Sequence, residues 1–399
     1  MTIPAPPVGA LTREQELLLL CSRTRFSEDR AARAAELTSG GLDWERLLAA
    51  AGTHTVLPLL GRALAAVAGV PAPVLARLTE QSRATARRGA WLTAELFRIL
   101  DVLDAAGIEA LAHKGPVLGR EAWGDPALRP FADVDLVVAD EDLAAAASAL
   151  MAAGLEPAGV TPGRRQQAQL AHAWEVELAN RQGLVVDLHR SLVARHLARG
   201  PRTAELFDRR RTVTLDGRAV PTLGREDTLV ALCLGGTSEL WSRLKYVVDV
   251  AELLQSPGGH DWPALLDRAR RDRTLRMVLL GVSLGCDHAG LPLPEPVAAA
   301  LSGAPRVKAL RRQAWRRMFA RGDAAPGYLE RNRFWLAARD RTGDRVASLW
   351  LRLWTPTVND WRFVPLPDAL YPLYYLVRPI RLSWHALTRW LPELVWRRG

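Results

Sequence analysis

The sequence predicts an α+β fold: a mixed-sheet domain over residues 108–224, flanked by helical regions on its N-terminal and C-terminal sides. Apolar positions recur at helical spacing before residue 107 and again after 225. Between those limits, short apolar runs alternate with helical segments, the pattern of a compact domain in which helices cover a sheet. Within 212-TVTLDGRAVPTL-223, Asp216–Gly217 is a favoured two-residue turn and predicts a hairpin.

Taken in order, 11-LTREQELLLLCSRT-24 reads as a helix with a threonine N-cap. Two more helical runs lie in 43-DWERLLAAAGTHTVLPLLGRALAAV-67, and a long one spans 73–107 with Gly107 as its stop. His54 is expected in the core or at a helix end. The runs IEALAH and 134-VDLVV-138 suit buried strands, with a short helix at 116-PVLGREAW-123 between them. The helix in 140-DEDLAAAASALMAAG-154 ends at Gly154. The segments LEPAGV, 173-AWEVELAN-180 and 184-LVVDLHRSL-192 are strand-like. This divides the chain into a helical region (1–107), a sheet core with its hairpin (108–224), a helical domain (225–334) and an aromatic, proline-rich tail (335–399). The tail is expected to pack on the body, with a lipid interface as its alternative.

The chain has 399 residues, enough for several buried cores, and its 49% apolar and 24% charged composition excludes wholesale disorder. Cys21, Cys233 and Cys286 are few, odd in number and far apart, which fits a reducing compartment. The N-terminus lacks the pattern of a secretory signal, and no window holds the ~18 uninterrupted apolar residues of a membrane span. A cytoplasmic protein is the expectation. The formal charge of +10 favours anionic partners without specifying one. Lys114, Lys245 and Lys308 are the only lysines beside many arginines, so each marks a position that a general drift to arginine did not take.

Asp133 and Asp135 are two apart in a strand-like run, so their carboxylates share one face of the sheet. Two acids that close need a cation, and oxygen donors of this kind suit Mg²⁺ shared with substrate phosphates. Asp187 interrupts the apolar run LVVDLH; if its strand neighbours the first, three carboxylates converge. Lys114–Gly115 ends one strand and opens a helix, where an ammonium and backbone N–H groups meet an anion. Lys245 and Asp249 are four apart on one helix face with Arg243 nearby. They either pair with each other or line a cleft. His189 either orients a carboxylate or packs, and Glu175 and Glu177 share a strand face that either supports the site or meets solvent.

The joint order of strand, KG, helix, R-x-x-x-D-x-D, strand, helix and a third acid resembles the nucleotidyltransferase superfamily. More closely, it is similar to an uncharacterised nucleotidyltransferase family with KG, a later RP and a D-h-D-L-h-V core. The resemblance covers most of the chain. It includes 43-DWERLL-48, 54-HTVLPLL-60, HKG…RPFADVDLVV, 185-VVDLH-189, 241-WSRLKYVVDVAELL-254 and 366-LPDALYPLYYLVRPIRL-382. It implies that Asp133 and Asp135 hold Mg²⁺ or Mn²⁺, with Asp187 completing the metal site and helping to deprotonate an acceptor. Lys114 and Gly115 would contact the triphosphate, Arg129 would steady charge, and Lys245 would reach the nucleotide from a helical domain. Two departures stand out. No serine follows the glycine, and Ala132 precedes the D-x-D where a small polar residue is common.

The expected function is metal-dependent transfer of a nucleoside monophosphate from an NTP to a hydroxyl or phosphate of a peptide, small molecule or RNA, releasing pyrophosphate. The alternative is a non-catalytic nucleotide- or peptide-binding protein that keeps the fold.

Overall fold

The computed structural model describes residues 11–158, 174–319, 327–385 and 388. Within the described residues, five helices precede the sheet: α1 (Arg13–Cys21), α2 (Glu28–Ser39), α3 (Trp44–Thr53), α4 (Leu57–Leu64) and the 34-residue α5 (Ala72–Ala105). Thr12 and Gln15 form a capping box at the start of α1, which satisfies amides that the helix itself leaves open. Gly107, at a φ of 71°, turns the chain out of α5 into the sheet.

The strands are β1 (Ala110–Ala112), β2 (Val134–Val138), β3 (Glu156–Pro157), β4 (Glu175–Ala179), β5 (Val185–His189), β6 (Arg211–Leu215) and β7 (Arg218–Thr222). They form one mixed sheet in the order β3-β4-β5-β2-β1-β7-β6. β2 runs antiparallel to β1 and parallel to β5, in a register that sets Asp135 beside Asp187. β6 and β7 are the hairpin read from the sequence, turning on Asp216 and Gly217, both at positive φ. Three helices belong to this part of the chain: α6 (Gly115–Glu121), α7 (Leu143–Ala152) and α8 (Thr203–Asp208).

The period-two alternation of β2 decides where the site lies. Val134, Leu136 and Val138 enter an apolar core with Leu92, Leu96 and Ile99 of α5 and with Ala146 and Leu150 of α7. Asp133, Asp135 and Val137 therefore belong to the opposite face. On that side Val137 joins a second core, shared with the N-terminal helices and with the helices after residue 225.

Those later helices are α9 (Arg225–Ser238), α10 (Leu244–Gln255), α11 (Trp262–Arg271), α12 (Leu275–Ala289), α13 (Glu295–Ser302) and α14 (Pro305–Met318). α9 and α12 close on Trp241, which is fully buried. A Cβ on Gly236 would lie 2.6 Å from the Trp241 ring, and one on Gly281 would lie 2.4 Å from Cys233 Sγ. Both glycines are there for that approach. The last described elements are α15 (Tyr328–Ala338), α16 (Thr342–Trp354), α17 (Val358–Phe363) and α18 (Tyr374–His385). The strand-like reading of LEPAGV extends past residue 158, and the end of the tail past 388, so both lie partly outside the described residues. Among the described residues no helix is long and apolar enough to cross a membrane. All three cysteines are free and buried.

Candidate functional site

β1 delivers its next two residues, His113 and Lys114, to the acidic face of β2. The His113 amide donates to the Asp135 carbonyl at 3.1 Å, which holds the chain end against β2. Lys114 then takes a φ of 56° and a ψ of −135°, a backbone state that costs on the order of 1–3 kcal/mol for a residue with a Cβ. Its Nζ lies 2.9 Å from Asp135 Oδ1. The same oxygen is 3.1 Å from His189 Nε2 and 3.9 Å from His113 Nε2. Asp135 is thus the hub of the site.

Charges follow from this crowding. Burial opposes ionisation of Asp135, but Lys114, the His189 hydrogen bond and His113 hold its carboxyl well below the usual range. Burial also pulls on the Lys114 ammonium, and Asp135 more than offsets it, so Lys114 stays a cation with its pKa raised. Among the described residues Asp187 has no such partner. Burial, with Glu175, Asp135, Asp133 and Glu177 around it, pushes its carboxyl up to about 8, and its Oδ1 is buried without a hydrogen bond among the described residues. Asp133 is raised by burial and by Asp135, against the pull of Lys114 and Lys245.

β4 brings Glu175 opposite His189 and Glu177 opposite Asp187. Glu175 Oε2 is 3.4 Å from His189 Nδ1 without a hydrogen bond, so His189 stands between two acids and is hydrogen-bonded to Asp135. His113 is the residue whose role the sequence reading missed. It is buried, its ring meets His189 edge-on with centroids 5.2 Å apart, and both its nitrogens lack a hydrogen-bond partner among the described residues. Burial, Lys114 and His189 keep its imidazole neutral, well below the ordinary histidine value, in spite of Asp135. Only its place directly before the KG pair could have marked it.

α10 closes the site from the helical domain. Asp249, 2% exposed, does not pair with Lys245; it accepts Arg129 Nε at 2.7 Å and Nη2 at 2.9 Å, and Trp123 Nε1 at 3.1 Å. Arg129, 2% exposed, also donates to the Gly115 carbonyl at 3.2 Å. The arginine expected beside phosphate is therefore committed to holding Gly115 and α10 together. Lys245, half-buried one turn before Asp249, makes no hydrogen bond or ion pair through its ammonium with a described residue. Burial lowers its pKa to about 8, with Arg129 adding to the effect and Asp249, Asp133 and Asp135 opposing it. Arg243 is exposed at the α10 N-cap. His54 is a helix-end residue: its Nδ1 accepts the Leu244 amide and its carbonyl accepts the Lys245 amide.

The start of α6 offers fewer backbone donors than expected. Pro116 has none, and the Leu118 amide is bonded to the Lys114 carbonyl. The three acids predicted to share a cation are gathered on one face, with Asp135 and Asp187 in register. Among the described residues, the group of possible metal ligands whose donor atoms lie within 4.8 Å of one another is His113, Asp135 and His189, which includes neither Asp133 nor Asp187. An orphaned Asp187 oxygen and its raised pKa mark an acidic face short of positive charge, which fits a divalent cation with oxygen donors.

The family described as "Uncharacterised nucleotidyltransferase" matches residues 40–286, more than half of the chain. No curated protein matches. Among solved structures, an antigenic nucleotidyltransferase-like protein from Paracoccidioides brasiliensis aligns at 18% identity with a TM-score of 0.27. That alignment covers 47% of this chain and 91% of the other.

Proposed function

The chain belongs to the uncharacterised nucleotidyltransferase family, and we propose that it transfers a nucleoside monophosphate from an NTP to an acceptor hydroxyl or phosphate. The observation that carries this reading is the in-register pair Asp135–Asp187 on adjacent parallel strands, with Asp133 before it and two of the chain's three lysines acting on the same acids.

In this reading an acceptor oxygen attacks the α-phosphorus, the bond to the bridging oxygen of the β-phosphate breaks, and pyrophosphate leaves. Asp133, Asp135 and Asp187 would hold Mg²⁺ or Mn²⁺, which when bound supplies positive charge to the triphosphate oxygens and to the carboxylates. Lys114 and Lys245 contribute ammonium charge to the phosphates. Asp187 also helps to deprotonate the acceptor. His189 and Arg129 are positioning residues: one orients Asp135, the other fixes Gly115 against α10. Peptides, small molecules and RNA all carry an acceptor of the required chemistry.

One observation favours a second reading. Lys114 already neutralises Asp135, which is what a metal-free nucleotide-binding site would need. The test that separates the two is labelled-NTP transfer by the Asp133→Asn/Asp135→Asn variant. Loss of transfer and of Mg²⁺-dependent nucleotide binding supports catalysis. Wild-type nucleotide affinity that ignores Mg²⁺, with no pyrophosphate released over a broad acceptor panel, supports the binding protein.

A further inference from the structure

α16 and α18 are amphipathic helices built the wrong way round for water. On α16 the polar positions Asp344, Ser348 and Arg352 face the protein. Asp344 pairs with Arg273 at 2.6 Å, Ser348 donates to the His196 carbonyl, and Arg352 lies 4.5 Å over the Trp335 ring. The apolar residues Val346, Leu349, Trp350 and Leu353, spaced for one helix face, are exposed instead, Val346 and Trp350 by 63% each.

α18 repeats the inversion. Arg378 and Arg381 turn inward and share the fully buried Asp360, at 2.9 and 2.6 Å, while Leu376, Ile380 and Trp384 are exposed by 58–65%. Arg378 Nε also donates to the Arg352 carbonyl at 2.7 Å, which ties α18 to α16. Among the described residues, twelve of the fourteen exposed large apolar side chains lie between 346 and 384. The exposure is therefore confined to one segment, whereas scattered single residues would need no explanation.

We infer that the α16–α18 face docks on an anionic lipid surface. A soluble helix gains by burying its apolar stripe, and here two joined helices bury their charges to keep theirs out. They have 13 and 12 residues, which is too short to span a bilayer, so they lie in its interface. Trp350, Trp384 and Tyr375 are side chains that favour the headgroup level. Among the described side chains of this segment, the charge facing outward is basic. Asp344 and Asp360 are paired inward, while exposed Arg341 at the α16 N-cap and Arg362 beside exposed Phe363 make no ion pair with a described residue. That complementarity singles out acidic headgroups among apolar partners.

Vesicle flotation of the full chain tests this, with vesicles of phosphatidylcholine alone and of equal parts phosphatidylcholine and phosphatidylglycerol. The expected result is flotation with the anionic vesicles that weakens with salt and on phosphatidylcholine alone. Leu349→Glu/Ile380→Glu should lower that binding by about tenfold or more while the circular dichroism and Tm hold. Arg341→Glu/Arg362→Glu, which leaves the apolar stripe intact, should lower binding to the anionic vesicles only. No flotation with either vesicle, or flotation that both variants leave unchanged, overturns the inference. So does a lipid-free dimer that Leu349→Glu/Ile380→Glu dissolves, because the face then joins two copies of this chain. Nucleotidyl transfer is read separately, with soluble acceptors, and none of these residues touches the acidic site.

Discussion

Lys245 carries its charge in a half-buried place without an anion close enough to pair, and burial lowers its pKa from 10.5 to about 8. Two pH effects follow. Because the folded value is depressed, the contribution of this group to stability is complete above pH 10.5 and is lost as pH falls through about 8. A triphosphate prefers the charged ammonium, so nucleotide affinity should weaken as pH rises past about 8. Binding titrations across that range should show a steeper decline in the wild type than in Lys245→Met, where Asp187 still titrates near 8. Arg129 makes a different kind of prediction. Arg129→Met leaves Asp249 buried with only Trp123 beside it and should cost about 3–5 kcal/mol in denaturant unfolding. Replacing both partners with apolar residues should cost much less, since no charge is then stranded.

At the scale of elements, the site depends on how closely helices approach one another. A Cβ on Gly119 of α6 would lie 2.8 Å from Pro126 Cα, so the turn before β2 is seated directly on α6. The helical domain uses the same device at Gly281, against Cys233 and Trp241. Gly281→Ala should therefore destabilise the fold by about 1–3 kcal/mol through overpacking, with the loss visible as a lower unfolding midpoint at an unchanged denaturant slope. α10 carries the consequence to the site. It bears Lys245 and Asp249 one turn apart, and its first amides are held by His54, so a shift of α12 against α10 moves both.

For the molecule as a whole, the strands of the core and α10 meet at one acidic face, and His54 from the N-terminal helices holds the start of α10. A cation that binds only this assembled face stabilises the folded state by mass action. Mg²⁺ or Mn²⁺ should raise the Tm in a concentration-dependent way, and Asp133→Asn/Asp135→Asn should abolish the rise. A rise that survives in the variant would move the cation elsewhere.

The strand at 134–138, the hairpin at Asp216–Gly217 and the helices around the core follow from local rules of period and turn chemistry, so the sequence alone determined them. It also determined that Asp133 and Asp135 share a face, because alternation along a strand is a local property. Which acid stands beside Asp135 was a matter of strand order, and only the parallel pairing of β2 with β5 decided that it is Asp187. Tertiary structure likewise assigned Asp249 to Arg129 and left the Lys245 ammonium without an ion pair among the described residues, although the i, i+4 spacing suited either arrangement. His113 gained its place from burial between Asp135 and His189, which only its position directly before the KG pair hints at in the chain. Local chemistry sets which residues can act, while long-range pairing sets which of them meet.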